Sequence, residues 1–232
     1  MGMEKDETAS RRLPDPASPS FAWRLAQRLL QIMFVGWTQL RIRGREHIPR
    51  TRGGLVISNH QSFLDPVMLQ VALPRPVSFL ARDTLFRFWV LKYLFRLSFV
   101  FPLKREATST ATIRGAVARM KHGFLVGMFP EGTRTRDGLV GEFKPGFIAL
   151  VRRAKLPVYP VGIAGSNRAM PRIKFGFYRK QITMVYGKPL SYDELEPLCH
   201  KGNEKACVQF VKNRIEECHR QAEDWCQKLM SK

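Results

Sequence analysis

The sequence predicts an α/β fold: a single domain with a mostly parallel or mixed central sheet flanked by helices, preceded by an N-terminal amphipathic membrane-surface helix. Three observations predict it. Short apolar runs rich in Val, Ile and Phe alternate with helical patterns along the chain. The length of 232 residues suits one core. Ahead of the first run lies an apolar stretch, bordered by arginines, that is too short to cross a bilayer.

Residues 1–20 are polar and contain Pro14, Pro16 and Pro19, so they read as a flexible tail. The Arg11–Arg12 pair superficially resembles a twin-arginine export signal. The apolar stretch comes too late for one, and no small-residue cleavage site follows it. Residues 21–43 read as an amphipathic interfacial helical segment. Leu29 to Leu40 gives 12 uncharged residues, against the ~20 that a bilayer requires. Arg24 and Arg28 interrupt its upstream side, and Arg41 and Arg43 close its downstream side. This helix either lies in a membrane interface, with Trp23 and Trp37 near the headgroups, or covers the core.

Residues 44–190 carry the alternation. Strands are expected at Gly54–Ser58, Pro76–Leu80, Phe99–Leu103, Phe124–Phe129, Val158–Ile163 and Ile182–Tyr186. A helix is expected to begin at Asp65-Pro66, with the Asp as N-cap and the proline at the first helical position. Others are expected over Thr84–Leu97, over Ser109–Lys121 with a stop at Gly123, and after Pro145. The stretch from Thr84 to Phe101 threads Arg87, Lys92 and Arg96 through seven aromatic residues, which suits either an anionic membrane or a packed helix with snorkelling basic side chains. Residues 191–232 form a C-terminal helical segment. Val208, Val211, Ile215, Cys218, Ala222, Trp225 and Leu229 make one apolar stripe that docks on the domain. Cys199, Cys207, Cys218 and Cys226 have no zinc-like spacing and no CxxC, so no metal site and reduced thiols in a cytosolic compartment are expected.

The formal net charge of +20 is unevenly placed. Residues 21–190 hold 29 Lys and Arg against 7 Asp and Glu, while the remainder holds 10 against 12. A basic body attracts polyanions, whether nucleic acid, an anionic lipid surface or an acidic carrier protein.

No P-loop, GxGxxG or GxSxG occurs, which removes the usual nucleotide and serine-hydrolase readings. The chemistry gathers in four blocks. Asn59-His60-Gln61-Ser62-Phe63-Leu64-Asp65 sits between an expected strand and an expected helix, where sites in open α/β sheets form. On an ideal helix, His60 and Asp65 would be rotated about 140° apart. They meet only across a turn, in which the carboxylate orients the imidazole as a base. Phe129-Pro130-Glu131-Gly132-Thr133-Arg134 follows another strand. Gly132 permits close backbone approach, and Thr133 and Arg134 are suited to phosphate. Glu131 would pin an arginine or a substrate hydroxyl. Lys104 and Arg105 end the Phe99–Leu103 run and can share the same anion. Residues 156–164, LPVYPVGIA, carry no acid or base beyond a tyrosine and read as a wall. Ser62 as an acyl-enzyme nucleophile is disfavoured, since known triads draw their members from separate segments.

In this order the blocks NHQSFLD (59–65), FPLKR (101–105), FPEGTR (129–134) and LPVYPVGIA (156–164) resemble the glycerolipid acyltransferase family, and its lysophosphatidate branch more than its glycerol-3-phosphate branch. The resemblance spans roughly residues 50–190. It implies His60 as base within an HX4D motif and Asp65 as its orienting partner. Lys104, Arg105, Glu131, Gly132, Thr133 and Arg134 would bind the acceptor. It further implies that no cofactor or metal is bound, that acyl-CoA or acyl-carrier protein is the donor substrate, and that a lysophospholipid is the acceptor. The expected partners are an anionic membrane surface and, with an acidic carrier, acyl-carrier protein, but no nucleic acid. The expected location is peripheral (monotopic) on the cytoplasmic face of a membrane. The expected activity is acyl transfer to the free hydroxyl of lysophosphatidate, giving phosphatidate. Transfer or transacylation to another lysolipid or to glycerol 3-phosphate is the alternative, and a non-catalytic basic module binding membrane or nucleic acid is a further one.

Overall fold

The computed structural model describes residues 15–82, 101–103, 110–171 and 176–231. The helix expected over Thr84–Leu97 and the candidates Lys104 and Arg105 lie outside the described residues.

Seven strands form one sheet: β1 (Arg41–Arg43), β2 (Gly54–Ser58), β3 (Val77–Arg82), β4 (Phe101–Leu103), β5 (Leu125–Met128), β6 (Val158–Ala164) and β7 (Thr183–Tyr186). Their spatial order is β1-β7-β6-β2-β5-β3-β4. Every neighbouring pair is parallel except β6 and β7, so the mixed sheet expected from the alternation is present. The helices are α1 (Phe21–Thr38), α2 (Asp65–Ala72), α3 (Thr110–Lys121), α4 (Gly146–Ala154), the short α5 (Ser166–Ala169) and α6 (Tyr192–Leu195), and the long α7 (Glu204–Met230).

The strand alternation builds two cores. Val56 of β2 and Tyr159, Val161 and Ile163 of β6 pack with Met68, Leu69 and Ala72 of α2 and Phe34 of α1. Leu55, Ile57 and Val158 point to the other face, against Ala116 and Met120 of α3, Phe147 and Val151 of α4 and Val211 and Ile215 of α7. The sheet is thus covered on both sides, as a largely parallel sheet requires.

Several boundaries differ from the sequence expectation. Residues 41–43 are not part of the N-terminal helix. That helix ends at Thr38, Gln39 takes a left-handed conformation, and Arg41–Arg43 becomes an edge strand beside β7. Trp23, expected near headgroups, is buried, because it shares the inward stripe of α1 with Gln27 and Phe34. The thiols differ as well. Cys199 and Cys207 form a disulfide, their Cα atoms 5.2 Å apart, where four reduced cysteines were expected. Gly202, with φ 93°, lets residues 200–203 double back and bring the two together. Cys218 and Cys226 are buried free thiols.

The C-terminal helix docks on the sheet over β6 and β7, and one glycine makes this possible. A Cβ on Gly162 would lie 2.2 Å from the backbone of both Cys218 and His219. Backbone cannot move aside as a flexible side chain can. Gly162→Ala is therefore expected to lower the free energy of unfolding by ~3 kcal/mol. Urea denaturation measures this directly, and an unshifted midpoint would contradict the packing.

Candidate active site

The site forms where three adjacent parallel strands, β6, β2 and β5, end on the same side of the sheet. The chain leaves β2 at Ser58. Asn59 is wholly buried and fixes the exit: its Nδ2 donates to the Ile163 carbonyl at 3.0 Å, and its Oδ1 accepts from the Ile163 N–H at 2.8 Å. The amide imitates a backbone pair and ties the end of β2 to β6.

The next six residues make the tight turn that the His60–Asp65 spacing requires. Helix α2 begins one residue earlier than expected, with Leu64 as N-cap and Asp65 itself in its first turn. The Asp65 side chain points back into the turn. Its Oδ2 lies 2.9 Å from His60 Nδ1 and accepts the N–H groups of Gln61 and Ser62, each at 2.7 Å. Asp65 is fully buried, and its Oδ1 accepts no hydrogen bond from the described residues. Facing a carboxylate that already collects two N–H donors, Nδ1 is assigned as the third donor, which leaves Nε2 as the basic nitrogen. The His60 side chain is 17% exposed.

The other faces of His60 are held by the segment after β5. The Phe129 ring stacks on the imidazole, with centroids 4.2 Å apart and planes 19° apart. Phe79 stacks on Phe129 in turn, at 5.9 Å and 8°. Glu131 Oε1 accepts the His60 main-chain N–H at 2.9 Å, and the Thr135 N–H donates to the His60 carbonyl at 2.9 Å. Burial pushes the Glu131 carboxyl up to about 7, against the opposing pull of the His60 and Gly141 N–H groups. Glu131, expected to pin an arginine or a substrate hydroxyl, faces the His60–Asp65 turn, where its Oε1 meets the His60 N–H.

The remaining candidates flank this centre. Gly132 has φ +70° and is exposed, as is Thr133. The Arg134 guanidinium lies 3.5 Å over the Phe63 ring, which brings the arginine-bearing turn onto the His60–Asp65 loop. Ser62 is buried, and its hydroxyl donates to the Met170 carbonyl at 3.0 Å. Two neighbours escaped the sequence reading. Lys144 brings its ammonium over the turn: a Cβ on Gly132 would sit 3.2 Å from Lys144 Nζ. The Lys144 N–H donates to the Pro130 carbonyl at 2.9 Å, which closes this loop. His219 of α7 lies 2.9 Å from Gln61 Nε2, and the same amide donates to the Gly138 carbonyl. Burial lowers the His219 pKa, so the neutral ring accepts from Gln61. No cluster of three or more His, Cys, Asp or Glu suited to a metal occurs among the described residues.

A buried carboxylate against an imidazole, next to a turn bearing arginine, lysine and threonine, is the set of groups that a general base beside an anion subsite requires. The chain belongs to the Acyltransferase family, whose model matches residues 39–164. Among its relatives, a chloroplast 1-acyl-sn-glycerol-3-phosphate acyltransferase of Arabidopsis thaliana is 27% identical over 195 residues, 82% of this chain and 54% of that protein. The 1-acyl-sn-glycerol-3-phosphate acyltransferase of Bacillus subtilis is 26% identical over 180 residues, 77% of this chain and 87% of that one. The chain thus spans about half the length of its plant relative. Its fold matches the crystal structure of the 1-acyl-sn-glycerophosphate acyltransferase PlsC of Thermotoga maritima with a TM-score of 0.70 at 22% identity, over 86% of this chain and 80% of that one.

The raised carboxyl of Glu131 has a sign that can be measured. Below pH ~4.5 the group is protonated in both folded and unfolded chains. As pH rises towards 7, the unfolded chain releases this proton and the folded one keeps it, so stability falls across that window. Glu131→Gln keeps an oxygen for the His60 N–H and carries no proton to lose. Its stability relative to wild type should grow between pH 4.5 and 7 by up to ~3 kcal/mol and then level. Urea unfolding at pH 4.5 and pH 8 reads the difference, and a decrease would reverse the assignment.

Proposed function

We propose that this protein transfers a fatty acyl group from acyl-CoA or acyl-carrier protein to the free hydroxyl of lysophosphatidate, giving phosphatidate. The observation that carries this reading is the 2.9 Å contact between His60 Nδ1 and buried Asp65, in a family whose similar proteins are named for this acceptor. His60 Nε2 takes the proton of the acceptor hydroxyl, and the oxygen attacks the thioester carbonyl carbon. The C–S bond breaks, and the departing thiolate takes the proton back from the imidazolium. A thioester is already activated, so no enzyme nucleophile is needed. This accords with the commitment of the Ser62 hydroxyl to Met170.

Arg134, Lys144 and Thr133 supply the positive charge and hydroxyl that suit a phosphate monoester, with Arg105 and Lys104 as further candidates on sequence grounds. Holding acceptor and donor together contributes as much as ~7–11 kcal/mol in favourable cases, more than the base itself supplies.

The reading places the enzyme peripherally on a membrane, on the cytoplasmic face where the thioester carriers are available. No helix among the described residues is long and apolar enough to cross a bilayer. The support for peripheral attachment is the polarity of α1. Its outward face presents Phe21, Leu25, Leu29, Ile32 and Met33, all exposed. Its inward face uses Gln27 and Gln31, which donate to the Gln70, Leu73 and Val71 carbonyls at the end of α2. So many exposed apolar residues, over an inner side on which the glutamines join Trp23 and Phe34, are not what a helix built to face water presents.

Incubation of purified protein with lysophosphatidate and a panel of thioesters, with products identified by mass spectrometry, tests the activity. His60→Ala should lower turnover by about 10²–10⁴-fold without changing the fold; near-normal turnover would refute the base. Arg134→Ala should raise KM for lysophosphatidate by about 10-fold or more and change kcat little. An unchanged KM would remove Arg134 from the acceptor site.

A further inference from the structure

A second cleft lies away from His60, at the other end of α2. It has a volume of about 590 Å³, within the range of small-ligand sites. Asp65 stands at the start of α2, while Val71 and Pro74, at and just beyond its end, line the cleft, so the length of the eight-residue helix, about 12 Å, separates the two places.

Its charge is one-sided. Arg24 and Arg28 of α1 and Arg45 after β1 line it, and among the described residues no acidic one does. Among the described residues the Arg24 side chain makes one hydrogen bond, its Nε donating to the Pro19 carbonyl at 3.1 Å. Arg45 gives one N–H to the Ala72 carbonyl at 3.4 Å. Arg28 makes no hydrogen bond or ion pair with the described residues. Most of the guanidinium donors therefore face the cleft unengaged. Arginines at this density are suited to a planar or tetrahedral anion, which they bind through several N–H groups at once.

The cleft adjoins the apolar face of α1. Arg28 is one helical turn from both Arg24 and Ile32, and three residues from Leu25. A ligand filling the cleft with an anion would have Leu25, Leu29 and Ile32 directly beside it, all exposed. That is the polarity of a phospholipid: charged head, apolar tails.

We propose that this cleft is an accessory site for the anionic headgroup of a membrane phospholipid whose acyl chains lie along the outward face of α1. The inference rests on the reading of α1 as the membrane-facing helix and is independent of the acyl-transfer chemistry. The headgroup sits between Arg24, Arg28 and Arg45, and its phosphate accepts from their guanidinium N–H groups.

The test is flotation of the full-length protein with phosphatidylcholine vesicles, with and without 30 mol% phosphatidylglycerol. It compares wild type, Arg24→Gln/Arg28→Gln, and an equal charge loss on the far face of the sheet, Arg114→Gln/Lys121→Gln. Affinity for the phosphatidylglycerol vesicles should fall about 25-fold in the cleft variant, roughly 5-fold per arginine. It should fall under 3-fold in the control, and binding to phosphatidylcholine should be unchanged. Arg28→Glu, at an exposed position with no hydrogen bond or ion pair to the described residues, should show the same loss if the double variant folds poorly. Equal losses in cleft and control variants would overturn the site in favour of diffuse surface charge. Equal wild-type binding to both vesicles would overturn the cleft and leave α1 as the membrane face. Binding to neither vesicle would overturn both. Protection of the cleft arginines by inorganic phosphate as effectively as by dihexanoyl-phosphatidylglycerol would assign the site to free phosphate instead.

Discussion

One carboxylate oxygen organises the turn between His60 and Asp65. Asp65 Oδ2 gathers the His60 ring and two consecutive backbone N–H groups within 2.9 Å. Out of water, such contacts strengthen, and the same burial would make an unpaired charge costly. The turn and the carboxylate therefore need each other. Around that point the histidine is restrained from every side: the ring edge by Asp65, the ring face by Phe129 and the main chain by Glu131. Two loops from adjacent strands supply these restraints, and neither loop would hold the imidazole alone.

The sheet explains why those loops meet. β2 lies between β5 and β6, all three parallel, so residues leaving each strand converge on one edge. The exit of β2 is tied to β6 through Asn59, and the turn after it reaches α7 through Gln61 and His219. The C-terminal helix approaches closely enough to make that contact because Gly162 offers no side chain beneath it. A residue late in the chain thereby touches the neighbour of His60.

Much of this was legible in the sequence, for identifiable reasons. Gly54–Ser58 is an uninterrupted apolar run ended by a polar signature, and it is a strand with those limits. The Asp-Pro start of α2 favoured a turn between His60 and Asp65, and the resemblance carried by the four blocks in order singled out the pair. β1 was not legible, because Arg-Ile-Arg has a single apolar residue and owes its strand geometry to pairing with β7. Lys144 was invisible for a similar reason: it reaches Gly132 only after residues 135–143 loop out and the Pro130 carbonyl closes the loop. Glu131 read as a partner for an arginine or a substrate hydroxyl because nothing in Pro-Glu-Gly reveals which way a carboxylate turns. The disulfide depended on a reversal at Gly202 that spacing alone does not announce. Local pattern carried the elements, and long-range closure decided the rest.

The glutamines on the inner side of α1 have a practical consequence. The last carbonyls of α2 have no partners within their own helix, and Gln27, Gln31 and Arg45 supply them. Cutting α1 away to obtain a better-behaved preparation would leave those oxygens bare and open the Phe34 side of the core. The greasy exterior and the scaffold beneath it are thus a single cooperative piece. A water-loving derivative must be made by exchanging outward side chains one at a time, with the glutamines left in place.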